Sequence, residues 1–361
     1  MKALFITGSN QYGVLSHFLS EMRADLALLD IETDQLDVAN EESIKISSTN
    51  LSELKNYSFI VSINGMGLST SVGGITIDEY SKEHKVYVLL VDHPLHLMTR
   101  FIGSNVTVLC IDQEHVGFCQ LCQIDAIYFP HAVAESHLST NNFINFENKS
   151  NEIIYPVSYF NIDFYREKLK PVWNQVGSAL EQATSITRFL QNISVLPMGS
   201  RPATVPLNEN IRRISVFADF FIRAKSRLLF LEECEENDLV LTVIGNNSMK
   251  YQNAFPTHKY EESVRFDDLK ERMRESKFVA HNSPGFELGL HERVVVPLSL
   301  GTLPLTPVNF IKKTFGESAV SFQQAKTLTH GEYTERLHMG YNKLSKEHTW
   351  RSQWAPLIAE L

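Results

Sequence analysis

Short apolar runs separated by longer mixed stretches set the rhythm of this chain. Runs inside 2–7 and at 26–29, 59–63, 86–91, 106–111 and 127–129 are rich in branched and aromatic residues, as suits strands buried on both faces of a parallel sheet. Between the first two, Val14-Leu15 and Phe18-Leu19 repeat at helical spacing. Segment 31–56 is polar and short of glycine, so it predicts only weak strand and helix pieces. Residues 135–150 are rich in Asn and Ser and poor in aliphatic residues, which reads as a linker. A second series then opens with Ile153-Ile154-Tyr155-Pro156 and a long helical region over 162–192, with Pro197 and Pro202 punctuating the loop that follows. Over 209–235, Ile211, Ile214, Phe217, Ala218, Phe221 and Leu228 recur at three-to-four spacing, predicting an amphipathic helix. Its arginines and lysine (Arg212, Arg213, Arg223, Lys225, Arg227) are expected to snorkel from a core-facing helix. Leu239–Ile244 is another strand, and 265–276 a charged helix. The pattern predicts an α/β protein of two Rossmann-like domains facing across a cleft: 1–134, a linker at 135–150, and 151–335. A C-terminal helix at 336–361, carrying Trp350, Trp354 and Leu357, is expected to pack back on the first domain.

The most informative stretch is 278–306. Phe278-Val279-Ala280 is an apolar run that breaks into the polar segment His281-Asn282-Ser283-Pro284-Gly285. A helical pattern follows, stops at Gly301, and gives way to Leu303-Pro304-Leu305. This is strand, loop, helix, glycine stop and strand, one unit of an open sheet. Asn282, Ser283, Gly285, Glu287, His291, Glu292 and Arg293 occupy the loop and first helical turn. A helix N-terminus offers unpaired backbone N–H groups and the positive end of a dipole, so the unit predicts a site for the diphosphate of a nucleotide. Gly245, after strand 239–244, is expected to join it.

The first half offers two further strand ends. Gly8-Ser9-Asn10-Gln11-Tyr12-Gly13 gives Gly8, Asn10 and Gly13 as a candidate ligand-facing loop, although the spacing does not fit a dinucleotide fingerprint. Val91-Asp92-His93-Pro94 places an acid and an imidazole after a strand, where ligands of such sheets bind. Asp92 and His93 are therefore the candidate general bases, with capping of the helix after Pro94 as the bland alternative for Asp92.

Composition narrows the function. Of 361 residues, 43% are apolar and 21% charged, as in ordinary globular proteins. A net charge of −9 without a basic block argues against nucleic acid as the main partner. The apolar run before Gly8 is too short for a secretion signal, and no run approaches the ~18–20 apolar residues of a membrane span. The expected location is the cytoplasm, with peripheral membrane contact left open. Four cysteines are too few for a disulfide scaffold. Cys119 and Cys122 have zinc half-site spacing but lack a second pair, so buried thiols are expected.

The segment Asn282-Ser-Pro-Gly-Phe-Glu-Leu-Gly289-Leu-His291-Glu292-Arg293, with Gly301-Thr-Leu-Pro-Leu-Thr306, resembles the donor region of GT-B glycosyltransferases, nearest the CgeB-like (spore-maturation-type) family. Val91-Asp92-His93-Pro94-Leu95, Cys110-Ile-Asp112-Gln-Glu-His115-Val116 and Phe129-Pro130-His131 extend the likeness over about residues 85 to 310. The resemblance implies a transferase moving a sugar from a nucleotide diphosphate, UDP-linked as the best guess, to a hydroxyl acceptor that the sequence does not identify. One position departs. Many such enzymes hold the donor ribose with a Glu five residues before the helix-ending glycine, where this chain has Val296.

Chemically, transfer needs charge stabilisation of the departing diphosphate and deprotonation of the acceptor. His291 and Arg293 are assigned the first task, Asp92 or His93 the second. No Asp-x-Asp pair stands at a convincing strand end, so no metal and no cofactor beyond the donor is expected. A nucleotide-sugar epimerase or hydrolase of the same fold, and a non-catalytic binding or assembly module, are the alternatives.

Overall fold

The structure, a computed structural model, describes residues 1–9, 13–49, 51–195 and 209–361. Asn10, Pro197 and Pro202 lie outside them. The chain forms two compact units, one from Met1–Pro130 and Trp350–Leu361, the other from residues 131–195 and 209–349. Among the described residues no helix is long and apolar enough to cross a membrane.

The first unit is built on six parallel strands: β1 (Lys2–Thr7), β2 (Glu32–Asp37), β3 (Phe59–Ile63), β4 (Lys85–Leu90), β5 (Thr107–Cys110) and β6 (Ala126–Tyr128), in the order β2-β1-β3-β4-β5-β6. The central strands are almost wholly buried, which is why their sequences are continuous apolar runs. Strand β2 lies in the polar stretch expected to hold only weak pieces. It is an edge strand with Leu36 alone buried, so it needs little apolar character. Among the helices of this unit are α1 (Val14–Ala27) and α2 (Gln113–Leu121).

The second unit has five parallel strands: β7 (Ser150–Pro156), β8 (Leu241–Ile244), β9 (Lys259–Glu261), β10 (Ser276–Ala280) and β11 (Leu303–Leu305). Their order is β9-β8-β7-β10-β11. The helices that matter for the site are α3 (Glu209–Glu236) and α4 (Glu292–Ser299). The chain is thus α/β with two Rossmann-like sheets. Each sheet reverses its winding once, between β1 and β3 and between β7 and β10. Loops diverge at such a reversal and open a crevice beyond the carboxyl ends of the strands.

Two expectations about segment boundaries change. Residues 135–150 are no detached linker but three short turns packed on the second unit. Phe146 meets Tyr333 at 5.0 Å between ring centroids, and the Lys277 ammonium sits over Phe146 at 4.1 Å. Buried Lys149 donates to Arg274 O at 2.5 Å, Thr302 Oγ1 at 3.0 Å and Ser276 O at 3.1 Å. Three acceptors satisfy an ammonium, and a polar composition conceals such a tether. The end of the chain is also divided. A helix at His330–Glu347 belongs to the second unit, whereas α5 (Trp350–Ile358) packs in the first.

Helix α5 fills the centre of the first unit. Trp354 is fully buried among Phe5, Phe59, Tyr87 and Phe129, at 6.3, 5.8, 6.3 and 4.9 Å between centroids. Trp350 donates its indole N–H to Glu21 at 3.1 Å, and the Arg351 backbone N–H donates to Asp25 at 2.8 Å. Two buried carboxylates of α1 are thereby spent on the first turn of α5, which helix N-termini favour.

Candidate functional site

The winding reversal of the second sheet gathers three arginines. Arg293, at the start of α4, donates Nη1 to Pro156 O, the last residue of β7, at 2.9 Å. Arg227 of α3 donates Nη1 to Ser158 O at 2.7 Å, and its guanidinium lies 4.0 Å from the Phe160 ring centre. Arg223, one turn earlier, pairs with Asp219 at 2.8 Å and lies 5.6 Å from the Phe286 ring centre. Gly285 is fitted to this packing. Its φ is +85°, and a Cβ there would stand 3.2 Å from Arg223 Nε.

Arg227 is the unusual member. It is only 7% exposed, and its Nε has no hydrogen-bond partner among the described residues. No carboxylate pairs with it there. Burial, reinforced by the neighbouring Arg293 and Arg223, pulls its pKa down to about 10. A guanidinium stays charged even so at neutral pH. A buried cation lacking a counter-anion is costly, and an anionic ligand would supply what the fold omits.

The sequence pattern failed on this pair. Arg223 and Arg227 do not snorkel; with Asp219 they occupy the buried stripe of α3 at i, i+4 and i+8, beside Ser215, Phe230 and Cys234. Charged residues at core-facing positions of the periodicity were the available signal. Basic residues on an amphipathic helix more often reach solvent.

The start of α4 also differs from expectation. The helix begins at Glu292, not directly after Gly285: residues 286–290 are non-helical and His291, in an extended conformation, is the N-cap. Glu292 then stands in the first turn, where its own charge answers the dipole that was expected to hold phosphate. His291, the N-cap, contacts Glu292 through Nδ1 and Arg293 Nη2 through Nε2 at 3.0 Å. A guanidinium only donates, so Nε2 must be the accepting nitrogen and Nδ1 carries the proton given to Glu292. In that tautomer the 3.4 Å approach of the Arg293 backbone N–H to Nδ1 is not a hydrogen bond. Burial lowers the His291 pKa to about 4, with Arg293 adding to the effect. Glu292 remains ionised, its carboxyl held well below the usual range by its neighbours against the opposing effect of burial. His291 is therefore a neutral link between Glu292 and Arg293, not a second positive charge. His131 lies 3.7 Å from Glu292 on another side.

The remaining donor-side candidates divide by what their side chains already do. The Asn282 amide accepts from Tyr155 Oη at 2.9 Å and donates to Ser226 O and Oγ at 3.0 and 3.2 Å. Ser283 is hydrogen-bonded through Oγ to buried His281 Nε2. Gly245 has a packing role: a Cβ there would fall 2.1 Å from Val157 O, so only glycine lets the ends of β7 and β8 meet. Glu287 is half-buried, 3.9 Å from Arg188. It lines a cavity of about 360 Å³ with Leu229, Phe230 and Phe286 as apolar walls and both neutral (Ser226, Asn282) and charged (Lys225, Glu233) groups on its lining. Val296 is 3% exposed and faces the core, so the ribose carboxylate sought there has no counterpart at that position.

In the first unit, Gly8 lies against Met66, whose Sδ would be 2.6 Å from a Cβ at position 8. Gly13 is the N-cap of α1 at φ 78° with open space around it. Asn10, between them, is outside the described residues. Asp92 is half-buried just beyond β4. His93 is 1% exposed, accepts the Leu95 backbone N–H at 3.1 Å through Nδ1, and packs edge-on against His115 and Phe118. It is His93 that caps the short helix Pro94–Leu97, the role weighed for Asp92. A ring so enclosed is poorly placed to take a proton from an acceptor, so the geometry favours Asp92 of the two. Among the described residues no three His, Cys, Asp or Glu side chains converge as a metal site.

No family model matches the chain, and no curated protein matches it in sequence. Solved structures do match in fold over its whole length. The DNA-modifying enzyme β-glucosyltransferase, solved with and without uridine diphosphoglucose, is 11% identical, covers 100% of this chain and 99% of its own, and has a TM-score of 0.55. T4 phage BGT in complex with its UDP-glucose substrate is 12% identical, with 100% and 99% covered and a TM-score of 0.53. AviGT4, a glycosyltransferase involved in avilamycin A biosynthesis, is 10% identical, with 100% and 96% covered and a TM-score of 0.53. These neighbours are GT-B glycosyltransferases. At such identities the likeness establishes the fold.

Proposed function

We propose that this protein is a glycosyltransferase that takes a sugar from a nucleoside diphosphate, UDP-linked, and passes it to a hydroxyl acceptor without a divalent metal. The observation that carries this reading is Arg227, a buried guanidinium without a counter-anion among the described residues, beside Arg293 at the winding reversal of a GT-B-type sheet. A diphosphate supplies the missing charge. Arg227 and Arg293 hold it in the ground state and stabilise it more as negative charge grows on the leaving group. Metal independence follows from the same assignment, since fixed guanidinium groups take the part that a cation plays elsewhere. The likeness of 282–306 to CgeB-like donor loops supports the same placement.

The cavity beside Phe286 takes the nucleoside in this reading, with Glu287 accepting from ribose hydroxyls in place of the carboxylate absent at Val296. Asp92 accepts the proton of the acceptor hydroxyl as the glycosidic bond forms. Fold neighbours act with UDP-glucose, one of them on DNA. The net charge of −9 here favours an acceptor other than nucleic acid.

The test is a thermal-shift screen against UDP, GDP, dTDP, CMP and NAD, each with Mg²⁺ and with EDTA. A ligand that binds only the native state raises the midpoint by mass action. UDP is expected to give the largest shift, equal in the two conditions. No shift with any diphosphate, or a shift with NAD alone, would end the transferase reading.

A further inference from the structure

We infer that Tyr155 and Asn282 are positioning residues: they set the spacing of the Arg227–Arg293 anion site and do not themselves bind the donor. This rests on the diphosphate reading above. The two arginines come from different elements, Arg227 from the middle of α3 and Arg293 from the start of α4. Each is aimed by a carbonyl of the chain leaving β7, Ser158 O for Arg227 and Pro156 O for Arg293. The distance between the guanidinium groups is therefore set by how β7, α3 and the loop after β10 are held together.

One side chain joins all three. Asn282, in the loop after β10, accepts from Tyr155 of β7, the residue before Pro156. It donates to both the carbonyl and the hydroxyl of Ser226, the residue before Arg227. An amide has two N–H donors, and both are used, so little of Asn282 is left for a ligand. Tyr155 is fully buried, its ring 4.9 Å from Phe230 and its phenol pKa pushed far up by burial. The phenol is thus a fixed donor, out of reach of solvent. With Tyr155 Oη removed, Asn282 loses its hydrogen bond to β7 while the tyrosine ring's packing stays.

Tyr155→Phe keeps the ring, so the variant is expected to fold with an unchanged circular dichroism spectrum. UDP binding would be measured by calorimetry for the wild type, Tyr155→Phe, Arg227→Ala and the double variant. Tyr155→Phe is expected to raise the UDP Kd about tenfold. In the Arg227→Ala background, where one side of the site is gone, the same change is expected to alter Kd less than twofold. Residues acting through one shared group are not additive. A Tyr155→Phe Kd equal to the wild type, or a tenfold effect that persists in the Arg227→Ala background, would overturn the positioning role. An Arg227→Ala variant that binds UDP as the wild type does would instead remove the diphosphate reading itself.

Discussion

At the carboxyl edge of the first sheet, His93 and His115 stack edge-on 4.5 Å apart beside Phe118, inside the core. At the corresponding edge of the second sheet three arginines, Arg223, Arg227 and Arg293, are enclosed beside His281 and His291, two of the arginines buried and one nearly so. The contrast is chemical. An imidazole can enter a core as a neutral ring with one donor and one acceptor, as His93 does by taking the Leu95 N–H. A guanidinium cannot shed its charge. Asp219 compensates Arg223 and Glu292 stands beside Arg293, but Arg227 has no such partner among the described residues. Enclosed histidines such as His93 need no ligand to account for them, while an enclosed arginine with no carboxylate partner among the described residues is the feature on which the proposed diphosphate reading rests.

Asp92→Asn presses hardest on the first edge, because it removes the half-buried acid that directly follows β4. Transfer is expected to slow by roughly 10²–10⁴-fold with UDP affinity unchanged, and full turnover in this variant would make that edge merely structural. Trp354→Ala should cost the first unit about 3–5 kcal/mol through the cavity it leaves under Phe5, Phe59 and Phe129. Denaturant unfolding would show it, and a loss below about 1 kcal/mol would mean that α5 is not a core element.

Arg227→Ala should do the reverse. UDP affinity is expected to fall by about 2–4 kcal/mol while the melting temperature holds or rises, since an unpaired buried charge is removed. A melting temperature that drops with UDP affinity intact would turn Arg227 into a structural residue and erase the contrast between the edges. The smallest effect concerns pH. His291 titrates near 6.5 when unfolded but about 4 when folded, so below pH 6.5 the unfolded chain binds the extra proton. Stability is lost as pH falls from about 6.5 toward 4, contributing ~2 kcal/mol between pH 6.5 and 5. His291→Gln should reduce the slope of this part of the stability–pH curve, leaving the share of His281, His258 and His348, whose pKa values burial also lowers; an unchanged slope would show that His291 is not enclosed as a neutral ring.

Much of the donor edge was legible as a place but not as a mechanism. The segment around Asn282 and Arg293 announced itself by a strand, a polar kink and a glycine stop. Its residues could not reveal that the Asn282 amide is consumed by Tyr155 and Ser226, or that Glu292 already answers the helix dipole. The first depends on partners 56 and 127 positions away in the chain, and the second on where the helix starts, seven residues later than the pattern suggested. Arg227 was visible only as a basic residue on an amphipathic helix, and its sign as a ligand group appeared once its burial was known.

What the sequence alone determined is the α/β alternation and the two parallel sheets. A strand buried on both faces must be largely apolar, and that requirement is written locally in runs such as Phe59–Ile63 and Phe278–Ala280. Tertiary structure decided which charges are enclosed together. Two strand ends, one helix and one loop must converge before Arg227 and Arg293 can share an anion, and no local pattern encodes a convergence of segments so far apart in the chain.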